Sequence, residues 1–236
     1  MSVRIAKILN VWVGLYHVRS EVGLEGQQSM VQQLGKIEKP SVDELKMGRR
    51  LLFVPLLYGG KSSPPEYLEK CDRYWNQVED QVADLELKLG QVKKIFHELI
   101  PVSGQEGVKA IQDLNDRSYQ IIKKRVDNGA QLEAAEETEL LTEFMDWSKC
   151  LAAGLQNEKV FTKVYESYAE AGKKRNEHIS KHIGETLKEN EIGILFMREG
   201  HHVQLPTDIQ VIYVSPPALD EINRWLRDHQ AKSEGG

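Results

Sequence analysis

Cysteine is scarce in this chain: Cys71 and Cys150 are the two in 236 residues, and no CxxC pair occurs. Two cysteines make no disulfide framework, so a reducing, cytoplasmic setting is expected. Long hydrophobic runs are missing too. No segment approaches the roughly 18 apolar residues that span a bilayer, which argues for a soluble protein without a membrane partner. The nearest thing to a targeting signal is Ile8–Tyr16 behind Arg4 and Lys7. That run is short, and His17, Arg19 and Glu21 follow at once without a small-residue cleavage site, so a buried first strand over Ile8–Leu15 is the expectation. Charge of one sign is also absent: 31 basic and 36 acidic residues interleave for a formal net charge of -5. With no basic face, nucleic acid has no electrostatic footprint here. There is no Rossmann glycine set and no serine nucleophile elbow. Gly59-Gly60-Lys61-Ser62 lacks the first glycine of a phosphate loop, since Pro55 stands five before Gly60.

What is present is ordinary globular composition, 40% hydrophobic and 28% charged. Beyond Ile8–Leu15, strand signals lie at Arg50–Tyr58, Gly193–Met197 and Ile209–Val214. Pro55 inside the second signal argues for a strand end or an edge, because proline gives no ladder hydrogen bond. Near-continuous apolar runs favour a sheet covered on both faces. Between these signals the pattern is helical. From Tyr67, apolar residues recur at Cys71, Tyr74, Val78, Val82, Leu85, Leu89, Val92, Phe96 and Leu99, a heptad seam. Unbroken to Leu99, this helix would be about 50 Å long, with Gly90 as its weak point. Ser63-Pro64-Pro65-Glu66 offers its capping box and Pro101 its stop; Ser103-x-x-Glu106 opens a second helix through Ile122. After the Asn128-Gly129 turn, a third helix runs from Leu132 to Leu151 and a fourth starts near Asn157. Ser-Pro-Pro recurs at 215–217, again between a strand signal and a helix. The expectation is an α/β fold: a small mixed or parallel sheet from residues 1–62 and 191–230, a large inserted antiparallel bundle of long α-helices over 63–190, and a disordered tail at 231–236.

The richest stretch is Ile192–Pro217, where an apolar run breaks into Arg198-Glu199-Gly200-His201-His202. Gly14-Leu15-Tyr16-His17 ends the first strand signal in the same way. Ligands of open α/β sheets bind at the carboxyl edge, so His17 and His201 are expected to converge there. Two imidazoles with Glu199, His202 or Glu21 nearby are donors that could hold a divalent metal and activate water. His97-Glu98 lacks the second histidine of HExxH and reads as a helix-end charge pair. His178 and His182 are spaced i, i+4, a separation that can bind metal, though Lys181 and the local polarity read as a solvated face.

The order of these segments resembles the TraB/PrgY-like group, related to the Tiki, ChaN and erythromycin-esterase-like proteins. The likeness rests on Gly14-Leu15-Tyr16-His17, on Arg175-Asn176-Glu177-His178-Ile179-Ser180, and on Ile194–His201, with Arg198 standing where the second motif has glycine. It implies a metal-dependent hydrolase in which His17 and His201 face a Zn, Mn or Fe ion. Glu199 or His202 would assist, and Arg175 would hold an anionic group of a small-molecule or peptide substrate. Two alternatives come from other classes. One is a non-catalytic assembly protein, a homodimer through its long helices. The other is a ligand-binding protein without turnover, with a pocket lined by Tyr16, Tyr58 and Trp75.

Overall fold

The computed structural model describes residues 48–60 and 63–234. The strand signal at Ile8–Leu15, with His17 and Glu21, lies outside the described residues. The rest is an α/β fold on a five-stranded parallel sheet ordered β3-β2-β4-β1-β5. The strands are β1 (Arg49–Pro55), β2 (Val92–His97), β3 (Gln131–Glu133), β4 (Ile192–Met197) and β5 (Ile209–Tyr213). The helices are α1 (Pro65–Leu89), α2 (Gly104–Leu114), α3 (Asp116–Asp127), α4 (Thr138–Ala152), α5 (Glu158–Thr186) and α6 (Pro217–Glu234).

Apolar continuity in β1 and β4 has the expected cause: both faces are covered. Leu52 and Val54 of β1, with Ile194 and Phe196 of β4, pack on Cys71, Tyr74 and Val78 of α1 and Ile222 of α6. The alternate residues Leu51, Phe53, Leu195 and Met197 pack on Ile179 and Ile183 of α5. Period-two side-chain alternation thus feeds two cores. Gly193 fits this register because a Cβ there would stand 2.8 Å from Leu51 Cδ1 and 3.3 Å from Leu187 Cδ1. Pro55 ends β1, consistent with its missing donor, although β1 itself is interior, between β4 and β5.

Three helical expectations are corrected. The Tyr67–Leu99 helix stops at Leu89, and Val92–His97 is strand β2, paired with β3 and β4. Gly90, at φ 114 and ψ 168, takes a backbone conformation that is essentially glycine's alone, so the chain can leave the helix there. The seam residues Cys71, Tyr74, Val78 and Val82 are buried in the chain's own core, with Leu85 and Leu89 partly buried against it. The second helix is two, divided at Asn115, whose side chain caps α3 by accepting from Arg117 and Ser118 N–H. The third begins at Thr138, because Gln131–Glu133 is β3. The span 63–190 therefore supplies two strands as well as helices. Both Ser-Pro-Pro segments do lead into helices, α1 and α6, but Ser63 Oγ accepts from Gly60 N–H instead of capping α1. Helix α6 continues through Lys232 to Glu234. Among the described residues no helix is long and apolar enough to cross a membrane.

Candidate functional site at the carboxyl edge

Parallel strands end together, so the residues just after β2, β3 and β4 gather at one edge. Glu98 follows β2, Glu136 follows β3 by a short link, and Arg198 follows β4. Arg175 reaches them from α5. Its guanidinium donates to Glu136 (Nε to Oε2 2.8 Å, Nη2 to Oε1) and to Glu98 Oε1 at 3.2 Å. Arg198 binds Glu98 from the other side, through Nε at 3.0 Å, Nη2 at 2.8 Å and its backbone N–H at 3.0 Å. Both carboxylates and Arg175 are buried. Two cations face two anions, which is the condition for retaining ionised groups inside a protein.

The cluster also holds backbone. Glu136 Oε1 accepts from Leu99 N–H at 3.0 Å, and Leu99 sits at φ 69, a left-handed conformation costly for a branched side chain. Glu98 N–H continues the ladder to Phe196 C=O at 2.8 Å. Arg175 lies 4.9 Å over the Phe144 ring, closing its apolar side. Burial alone would push the Glu98 carboxyl up, but Arg198 and Arg175 overcome it and hold it down at about 2. Next to it, His97 is driven down to about 4 by burial, so its ring is neutral. Its Nδ1 donates to Glu98 C=O at 2.6 Å and its Nε2 pairs with Ser118 Oγ at 3.2 Å.

His201 stands at the cluster's rim, partly buried, its ring 4.9 Å from that of Phe53. Burial lowers its pKa against the raising effect of Glu98; His202 and Arg175 lower it further, so at neutral pH the ring is uncharged. Val203 N–H donates to His201 Nδ1 at 3.2 Å, which leaves the proton of the neutral ring on Nε2. The ring joins Phe53, Val203, Leu205, Ile209, Val211 and Tyr213 around an open pocket of about 350 Å³. Tyr213 stacks on Phe53 at 5.0 Å and donates its hydroxyl to Glu199.

The expected site residues divide as follows. Arg175 and His201 come to one edge, as anticipated. Arg175 donates from Nε and Nη2 to Glu136 and Glu98, and so holds those two carboxylates. Glu199 and His202 are exposed on the β4 tip. His17 lies outside the described residues. Trp75 is buried against Tyr74 and Phe196, and Tyr16 is outside the described residues. Glu98 and Glu136 were not expected. His97-Glu98 is a strand tip, not a helix end, and Ile95-Phe96-His97-Glu98 carries the same signature as Phe196-Met197-Arg198-Glu199: an apolar strand breaking into ionisable residues.

At the carboxyl edge the donors nearest His201 are already engaged. The carboxylate oxygens of Glu98 and Glu136 are taken by guanidinium and backbone N–H groups, and the neutral His201 ring has a proton on Nε2. Among the described residues no group of three or more His, Cys, Asp or Glu is arranged to hold a metal. Comparison with family models, curated proteins and solved structures finds no match for this chain.

Proposed function

We propose that the chain is a hydrolase acting at the carboxyl edge of its sheet, on a small-molecule or peptide substrate seated against Phe53 and Tyr213. The observation that supports this most is the Glu98–Arg175–Glu136–Arg198 cluster. It fixes the β4 tip and puts the partly buried His201 beside a pocket. In this reading the His201 Nε2–H donates to the oxygen that gains charge as water adds, a role that needs a held, uncharged donor. Glu199, on the same tip and oriented by Tyr213, takes the proton of the attacking water. The resemblance to the TraB/PrgY-like group supports the hydrolase class. A form of the reading that depends on Zn, Mn or Fe needs His17, and needs His201 to give up the Val203 N–H and present an unprotonated nitrogen.

The test is a panel of nitrophenyl esters and peptide amides assayed with purified protein, wild type beside His201→Ala and Glu199→Gln. A substrate turned over by wild type should lose about 100-fold or more in kcat in His201→Ala. Full activity in that variant, or no turnover by wild type across the panel, overturns the reading.

A further inference from the structure

The i, i+4 histidines of α5 are not part of the carboxyl-edge cluster, and they are not on a fully solvated face either. The His178 and His182 rings lie side by side, 6.1 Å between centroids and within 4° of parallel. Both residues are half-buried. His182 meets Phe96 of β2 edge-on at 6.4 Å, which limits its rotamers. The basic residues nearby are matched: Lys181 with Glu185 at 3.9 Å, Lys173 with Glu177 at 3.8 Å, and Lys94 with Glu133 at 2.6 Å. A cation approaching the two rings therefore meets no unmatched ammonium from these residues.

We propose that His178 and His182 form a two-imidazole site for a divalent transition-metal ion of the copper, nickel and zinc series, with water in the remaining positions. One helical turn separates the rings, so small rotations about χ1 and χ2 bring one nitrogen of each to a common ion. Imidazole ligands select these borderline metals over magnesium or calcium, which prefer oxygen.

The site bears on the hydrolase reading without depending on it. Metal retained on α5 would look, in bulk elemental analysis, like metal at His201. Calorimetric titration of the full chain with copper(II), nickel(II) and zinc(II) separates the two, together with copper electron paramagnetic resonance. The expected result is one equivalent of copper with two nitrogen ligands, held more tightly than nickel or zinc. Affinity should fall about tenfold or more in His178→Ala and in His182→Ala, with one nitrogen left in the spectrum. It should persist in the His201→Ala/His202→Ala double variant. His182→Gln, which keeps a similar side-chain volume against Phe96, serves if His182→Ala proves unfolded by circular dichroism. No copper binding by wild type, or undiminished affinity when His182 is replaced, overturns the proposal.

Discussion

Arg175 ties two carboxylates from different strand ends together. Buried at the centre of the edge cluster, it satisfies Glu136 with two hydrogen bonds and Glu98 with a third. Removing it leaves a buried carboxylate pair short of one cation, and breaking a buried pair in this way costs about 3–5 kcal/mol. Arg175→Met should therefore lower unfolding free energy by about 3–5 kcal/mol in urea titrations. Lys123→Ala, which removes an exposed i, i+4 pair with Asp127, should cost less than about 1 kcal/mol. Comparable losses in the two variants would contradict the ionised, mutually satisfied cluster. Short sequence motifs mark Arg175 and His201, which the fold brings to one sheet edge. Sequence reading missed Glu98 and Glu136, since a single buried carboxylate leaves no periodic trace. Its partners are about 40 to 100 positions away.

At the scale of elements, the decisive position is Gly90. The apolar spacing of three and four residues continues through Val92, Phe96 and Leu99, so periodicity alone carries the helix on. Two things end it. Gly90 adopts φ 114 and ψ 168, and the next residues find strand partners in β3 and β4. Tertiary pairing overrides a local pattern that fits both periods over a short run. A Cβ on residue 90 would meet Ile192 Cδ1 at an ordinary 3.6 Å, so any penalty comes from the backbone rather than from packing. Gly90→Ala should cost about 1–3 kcal/mol in chemical denaturation, with the far-ultraviolet dichroism of the folded state retained. A neutral or stabilising effect would mean that α1 tolerates continuation. By contrast, β1, β4, β5, the Ser-Pro-Pro starts of α1 and α6, and the start of α5 near Asn157 were legible, because their signals are local: apolar runs bounded by turns, and prolines placed where a helix begins.

For the whole molecule, two buried titratable groups make stability depend on pH in the same direction. His97 is held at about 4 against an ordinary 6.5, so below 6.5 the unfolded chain binds a proton that the folded chain refuses. Stability then falls as pH drops from 6.5 towards 4, by up to about 3 kcal/mol. Glu98, lowered to about 2 from 4.5, adds a second loss as pH falls through that lower window. Urea midpoints measured from pH 7 to pH 3 should decline in two overlapping stages. His97→Gln should flatten the upper one. An unchanged upper stage in that variant would assign it to other groups.

The functional account turns on the β4 tip, where the strand delivers Arg198 to Glu98 and His201 to the pocket. As a hydrogen-bond donor His201 must be neutral with its proton on Nε2; as a metal ligand it must present an unprotonated nitrogen. Long-range proton–nitrogen correlation NMR of the imidazoles reads this directly, with His201→Gln to assign the resonance. At pH 7 the account predicts a neutral His201 ring protonated on Nε2, unmoved by added zinc. A ring protonated on Nδ1 whose Nε2 resonance shifts on zinc addition would contradict it.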